Sequence, residues 1–177
     1  MKKKTILILA IALIYLLTVG GFFLHGYLSR QADPEQGASA QAADFTVYDL
    51  AGNPVKLSDY LGQPVVLNFW ASWCGPCKSE MPDFDAAYAQ YGDQVQFMMV
   101  NITDGMQETL ESASAFIAGA GYSFPVFYDT SVEAATTYGV SAIPATYFID
   151  EDGYIVSQNT GALTKEALDA GISKILP

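Results

Sequence analysis

The two cysteines of the chain, Cys74 and Cys77, are separated by only two residues. A disulfide across so short a loop removes little entropy from the unfolded chain, about 2 kcal/mol, so a purely stabilising crosslink is an inefficient use of the pair. A zinc site would need two further ligands, and the single histidine, His25, lies far away at the edge of an apolar segment. We therefore predict no metal site and no bound cofactor, but a dithiol that alternates between its reduced and disulfide forms.

Cys74 lies where a helix is predicted to begin, because Pro76 suits the first turn of a helix, where its missing N–H would be unpaired anyway. Free backbone N–H groups and the positive end of the helix dipole stabilise a thiolate at such a position. We predict that Cys74 attacks a substrate disulfide and that Cys77 resolves the resulting mixed disulfide. The alternative, two inert buried thiols, does not require this spacing at a helix start.

The cysteines follow directly after the segment Val65–Trp70, which is apolar at every position except Asn68. A strand without polar alternation is buried on both faces, as in the middle of a parallel sheet covered by helices. Trp70 is expected in the core. The sequence thus predicts a buried central strand that ends just before the dithiol.

The other predicted elements alternate between strands and helices along the chain. A hairpin is expected from Phe45–Leu50 and Val55–Leu57, followed by a helical turn capped by Ser58. The remaining predicted strands are Gln94–Asn101, Pro125–Asp129, Ala145–Asp150 and Tyr154–Gln158; the predicted helices run to Tyr91, over Met106–Ala120, over Val132–Tyr138 and from the cap Thr164 to the C-terminus. This order predicts a three-layer α/β domain with a central mixed sheet.

The N-terminus predicts a membrane anchor. Residues 1–4 carry three lysines, and residues 5–24 contain no charge, which is enough helix to span about 30 Å of hydrocarbon. The lysines place residues 1–4 in the cytoplasm, residues 25–43 become a linker, and the domain 44–177 lies outside the cell membrane. The alternative is a cleaved signal peptide, but the small-residue site Ala38–Ala40 lies well beyond the apolar run.

The chain after Arg30 is strongly acidic. It holds all 19 acidic residues against four lysines, a formal charge of −15. Nucleic acid and anionic membrane surfaces are poor partners for such a domain, and the simplest reading of the charge is solubility.

Longer motifs around the cysteines resemble a known family. The stretch NFWASWCGPCKSEMP, the pair Ile143–Pro144 ahead of a strand, and the ending FPVFYD…YGVSAIPATYFIDEDGYIV are similar to the thioredoxin fold, and in detail to its membrane-anchored TlpA/ResA-like thiol-disulfide oxidoreductases. The resemblance covers about residues 44–177. It implies a thioredoxin-like fold with an N-terminal hairpin extension and an insertion between about Asn101 and Asp129.

The same resemblance assigns roles to residues near the dithiol. Glu80 matches the glutamate of a CxxCxxE pattern, which implies that it moves protons for the cysteines; the alternative is an ordinary helix acid that faces Lys78 or solvent. The resemblance further implies that the Ile143–Pro144 bond is cis and that Ile143 offers its backbone to an extended substrate. Trp73, Gly75 and Pro76 are expected to complete the substrate-contacting surface, and the Gly-Pro pair resembles reducing rather than oxidising proteins.

Two positions depart from the family pattern. Cytoplasmic thioredoxins have an aspartate where this chain has Asn68, which cannot accept a proton and, if buried, needs a hydrogen-bond partner. In many relatives a threonine follows the Ile-Pro pair, whereas here Ala145 intervenes and Thr146 comes one place later. A hydroxyl contact to substrate from the usual place is therefore not expected.

The resemblance also implies partners. A reductase in an oxidising compartment needs electrons from across the membrane, which implies a transmembrane thiol donor of the CcdA/DsbD kind. Family substrates include oxidised apocytochrome c during cytochrome c maturation, spore-envelope proteins and exported methionine sulfoxide reductases, and the sequence does not choose among them.

Three alternative functions have different sequence requirements. A thiol oxidase or isomerase of exported proteins remains open on the sequence alone. A peroxiredoxin would need a Pro-x-x-x-Thr-x-x-Cys site, which the residues before Cys74 do not provide. A copper-delivery module would need an exported histidine and a different cysteine spacing.

Overall fold

The computed structural model describes residues 40–177. The predicted cytoplasmic segment 1–4, the predicted membrane span 5–24 and residues 25–39 of the predicted linker lie outside this range. Within residues 40–177, no helix has the length and the apolar character that a membrane crossing requires.

The domain is built on one seven-stranded mixed sheet, as the alternation of elements predicts. Its strands are β1 (Thr46–Tyr48), β2 (Pro54–Lys56), β3 (Val65–Trp70), β4 (Gln96–Asn101), β5 (Val126–Tyr128), β6 (Ala145–Ile149) and β7 (Ile155–Thr160). They lie in the order β2-β1-β5-β4-β3-β6-β7. β3, β4 and β5 are parallel, whereas β6 runs antiparallel to β3. Every residue of β3 is buried, which confirms the central strand expected from its unbroken apolar sequence.

Helices cover both faces of the sheet. They are α1 (Gly75–Tyr91), α2 (Leu110–Ala120), α3 (Glu133–Thr137) and α4 (Lys165–Ile175). Residues of α1, α2 and α4 share one hydrophobic core with Trp70 and both cysteines. On the opposite face, α3 and the short 3-10 turn Leu57–Tyr60 pack in a second core with the β1–β2 hairpin. Three layers therefore hold the end of β3, where the dithiol lies.

Several strands differ from their predicted bounds by one or two residues, and two local features differ more clearly. α2 begins at Leu110 rather than Met106, because the side chain of Asp104 binds the amides that a longer helix would use and Thr109 then caps the first turn. Ser58 does not cap the 3-10 turn but donates its amide and hydroxyl to Asp44.

The folded domain also begins earlier than Asp44. Gln41, at the end of the predicted linker, forms an antiparallel bridge with Tyr154. The amide of Ala42 donates to the carbonyl of Gly153 over 2.8 Å. Residues 40–42 are therefore part of the sheet edge beside β7.

Candidate active site

The dithiol lies at the start of α1, just after β3, and forms a disulfide. Cys74 is the residue that caps α1, and Pro76 is in the first turn, as the sequence predicts. The Cys74–Cys77 bond has an S–S distance of 2.05 Å. The amide of Cys74 donates to the carbonyl of Ala71 over 3.1 Å, which closes the short loop from the strand to the helix.

Besides the bonded sulfur of Cys77, the sulfur of Cys74 has two polar contacts. The amide of Cys77 donates to it over 3.2 Å, the contact expected at a helix start. The carbonyl oxygen of Ile143 lies 3.8 Å from the same sulfur. Cys74 remains 4% exposed and Cys77 is fully buried, so an incoming group reaches the Cys74 sulfur first.

The predicted substrate-contacting residues are chain neighbours of Cys74 or, in the case of Ile143, contact its sulfur, with Pro144 next to Ile143 in the chain. The Ile143–Pro144 peptide bond is cis, which confirms the expectation drawn from the resemblance. Trp73 is 48% exposed, in contrast to the fully buried Trp70. Gly75 and Pro76 are also exposed, whereas Ile143 is half-buried and Pro144 buried.

Glu80 is not a surface acid. Its side chain is only 2% exposed, so the alternative that it faces Lys78 or solvent is wrong. One carboxyl oxygen accepts from Nδ2 of Asn68 over 3.0 Å, and the other accepts from the amide of Leu163 over 2.8 Å. Burial raises the pKa of Glu80 from its ordinary 4.5 to about 7, although these two hydrogen bonds oppose the shift. A group with this pKa can both take and give a proton near neutral pH.

Asn68 joins Glu80 to a third element. Its Nδ2 also donates to Oγ1 of Thr146 in β6 over 3.0 Å, so one amide group bonds two acceptors. Thr146 is fully buried, and its hydroxyl therefore belongs to this network and not to a substrate-contacting surface. Asn68 Oδ1 has no hydrogen-bond partner within residues 40–177. Asn68, where cytoplasmic thioredoxins have an aspartate, therefore links Glu80 and Thr146 in one buried hydrogen-bond network.

A second buried carboxyl group, Glu108, contacts the loop that precedes Cys74. It accepts hydrogen bonds from the amide and the hydroxyl of Ser72, two residues before Cys74. No motif in the sequence marks this residue. The sequence likewise gives no signal for the contact between Glu80 and the amide of Leu163, because these residues are 83 positions apart.

Residues 40–177 contain no group of three or more His, Cys, Asp or Glu side chains placed to hold an ion. The chemistry available to the site is that of two sulfurs and a nearby proton-carrying acid.

Comparison with known proteins gives a consistent match. Residues 38–158 match the AhpC/TSA family. The thiol-disulfide oxidoreductase ResA of Bacillus cereus is 36% identical over 178 residues, and that of Geobacillus kaustophilus is 33% identical over 180 residues; in both alignments all of each chain is covered.

Solved structures share the fold. StoA from Bacillus subtilis is 29% identical with a TM-score of 0.64, over 75% of this chain and 98% of StoA. The exposed lipoprotein thioredoxin Etrx1 of Streptococcus pneumoniae is 34% identical with a TM-score of 0.66, over 75% of this chain and 99% of Etrx1. The hairpin, the helix-covered sheet and the dithiol at the end of β3 are thus arranged on a known scaffold.

Proposed function

Because the chain belongs to the AhpC/TSA family and is a thiol-disulfide oxidoreductase of the ResA type, we propose that it reduces disulfide bonds of exported proteins outside the cytoplasm. The thiolate of Cys74 attacks one sulfur of the substrate disulfide, and the other substrate sulfur leaves as a thiolate. Cys77 then attacks the Cys74 sulfur in the mixed disulfide and releases the second substrate thiol. Two electrons pass to the substrate, and the enzyme is left with the Cys74–Cys77 disulfide.

The surroundings of the Cys74 sulfur support the proposed reducing direction. A strongly oxidising dithiol is one whose reduced, thiolate form is heavily stabilised. Here the described contacts of the sulfur are one backbone N–H and one carbonyl oxygen, and no cation is among them. Moderate stabilisation of the thiolate favours the disulfide form of the enzyme, and therefore favours the transfer of electrons to a substrate.

Glu80 supplies the proton chemistry in this proposal. It lies one helical turn after Cys77, fixed by Asn68 and by the amide of Leu163. Cys77 must lose a proton before it can attack, and a carboxyl group with a pKa near 7 is matched to that task at neutral pH. The same group can return the proton to a departing thiolate.

The reduction potential of the full-length protein tests the direction. Equilibration with glutathione redox buffers, read by the fraction of Cys74–Cys77 disulfide, gives the value directly. A potential well below about −200 mV supports a reductase. A value near −120 mV would instead support the alternative, a thiol oxidase or isomerase of exported proteins.

Substrates can be captured with a Cys77→Ser variant. It retains Cys74 and lacks the resolving sulfur, so mixed disulfides with substrates accumulate. The matched control is the Cys74→Ser variant, which should trap nothing. If neither variant, or only the control, yields adducts, the assignment of Cys74 as the attacking sulfur fails.

The proposal includes the membrane topology that the N-terminal sequence predicts: cytoplasmic residues 1–4, a membrane span at 5–24, a linker from 25 and an external domain. Electrons would then arrive from a transmembrane thiol donor of the CcdA/DsbD type, and oxidised apocytochrome c and methionine sulfoxide reductase are candidate substrates. Protease added to intact cells should cleave the domain away while leaving cytoplasmic proteins whole. A domain protected until the cells are lysed would contradict this topology.

A further inference from the structure

Glu108 is a buried carboxyl group that the exchange of electrons and protons described above does not use. Its side chain is 1% exposed and lies in the segment between β4 and α2. Oε2 accepts from the amide of Ser72, and Oε1 accepts from the hydroxyls of Ser72 and Ser112. A buried carboxylate is costly unless donors or a cation satisfy it, and here three uncharged donors do so.

The segment that carries Glu108 is itself fixed. The carboxyl oxygen Oδ1 of Asp104 accepts from the amides of Met106, Gln107 and Glu108 at 2.8, 2.8 and 2.9 Å. The amide of Gly105 donates back to the carbonyl of Glu108 over 2.9 Å. Glu108 is therefore held on a compact turn that joins β4 to the capped start of α2.

Ser72 is the point at which this turn reaches the active site. It lies between β3 and α1, one residue before the half-exposed Trp73 and two before Cys74. Among residues 40–177, Glu108 is the hydrogen-bond partner of both the amide and the hydroxyl of Ser72. The position of Ser72 in turn determines where the following Trp73 and the Cys74 sulfur project.

We propose that Glu108 is a positioning residue for thiol-disulfide exchange: by binding Ser72 it fixes the loop from which Trp73 and Cys74 meet the substrate. It touches neither sulfur in the described contacts, so it acts through Ser72. The inference rests on Cys74 being the attacking sulfur of the proposed function.

A pair of substitutions separates the positioning effect from the charge. In Glu108→Gln the amide oxygen can accept from the Ser72 amide while the NH2 group donates to the two serine hydroxyls, so the loop stays fixed without a charge. In Glu108→Ala the contact is lost altogether. The matched control is Glu111→Gln, which removes the same charge from an exposed position in the first turn of α2.

The assay is the reaction of the reduced full-length protein with 5,5′-dithiobis(2-nitrobenzoate), followed across pH. It yields the limiting rate constant of the Cys74 thiolate and its pKa separately. We expect Glu108→Ala to lower the limiting rate constant about tenfold, because the loop must be ordered again for each attack. Glu108→Gln and Glu111→Gln should stay within about twofold of the wild type.

A merely structural role predicts a different pattern. If Glu108 serves only to cap α2, then Ser112→Ala, which cuts its link to that helix, should lower the rate as much as Glu108→Ala does. Equal losses in these two variants, or an unchanged rate in folded Glu108→Ala, would overturn the proposal. Should Glu108→Ala not fold, Ser72→Ala replaces it: a rate about threefold lower supports positioning, and an unchanged rate overturns it.

The outcome is independent of the proposed reducing direction. Attack of Cys74 on a small disulfide occurs whether the enzyme works as a reductase or as an oxidase. A potential near −120 mV would therefore overturn the reducing direction and leave the role of Glu108 intact. An unchanged rate in folded Glu108→Ala would overturn the role of Glu108 and leave the reducing direction intact.

Discussion

Two buried carboxyl groups belong to the region of the disulfide, and their surroundings differ in kind: Glu80 lies three residues after Cys77, and Glu108 binds Ser72, two residues before Cys74. Glu80 receives one hydrogen bond at each oxygen, both from amide groups, and burial raises its pKa to about 7. Glu108 receives three, two of them from hydroxyls that can reorient. The first environment keeps a carboxyl group close to its point of titration, and the second uses a carboxyl group as an anchor. Burial of an acid near a catalytic group therefore does not by itself indicate a proton-transfer role.

The largest effect is expected from a substitution that adds a second carboxyl group beside Glu80. Asn68→Asp replaces the donor to Glu80 with an acceptor, so two buried carboxyl groups would share one site. We expect a loss of about 3 kcal/mol in the free energy of unfolding at pH 8, much of it recovered at pH 5. Denaturant titrations of the oxidised protein at both pH values measure it.

The control for that experiment is Asn68→Asp combined with Glu80→Gln. The glutamine can donate to the new aspartate and accept from the amide of Leu163, so most of the stability should return. A double variant as unstable as Asn68→Asp alone would show that Glu80 is not the group with which the new charge conflicts.

A kinetic test asks whether the two carboxyl groups differ in proton transfer. In Glu80→Gln, Cys77 loses its proton acceptor, so release of the substrate thiol from the mixed disulfide should slow about tenfold or more at pH 7 and recover at higher pH. Glu108→Gln should keep the wild-type pH profile. Single-turnover rates between pH 5.5 and 9 measure both, and superimposable profiles for Glu80→Gln and the wild type would remove Glu80 from the mechanism.

The dependence of stability on pH gives a second readout of Glu80. Its pKa in the folded protein, about 7, lies above its ordinary 4.5, so between these values the folded state binds more protons than the unfolded state. The oxidised wild type should therefore lose stability as the pH rises from about 4.5 to 7, relative to Glu80→Gln.

Comparing the two proteins isolates this effect. Burial also raises the pKa of Asp129, which produces a trend of the same sign, but that trend is present in both proteins and cancels. Unfolding free energies at pH 5 and 8 suffice for the measurement. If the free energy of unfolding changed by the same amount between pH 5 and 8 in both proteins, Glu80 would titrate in its ordinary range.

The smallest effect is expected from Thr146→Val. It preserves the shape of the side chain and removes the acceptor of the second Asn68 hydrogen bond, which should cost about 1 kcal/mol of stability. The change in single-turnover rate around pH 7 should persist, because Glu80 keeps both of its own hydrogen-bond donors. If the rate no longer changed around pH 7, Thr146 as well as Glu80 would be needed for proton transfer.

Much of the scaffold follows from local sequence patterns. The unbroken apolar run of β3 predicts a central buried strand, and Pro76 with Thr164 marks the beginnings of two helices correctly. The start of α2 is missed by four residues, because one aspartate side chain, Asp104, takes the amides of the expected first turn. Helix propensity carries no information about that competition.

The sequence by itself determined the dithiol, its place at a helix start and the position of Glu80 one turn later, because these depend on spacings of three or four residues along one helix. Only the tertiary structure decided that Glu80 is buried against Asn68 and Leu163, and that Glu108 binds Ser72. Those contacts join residues 12, 83 and 36 positions apart. Such pairs are created by the packing of a strand, a helix and three loops against one another. Periodicity within any one segment does not encode which distant group will meet it.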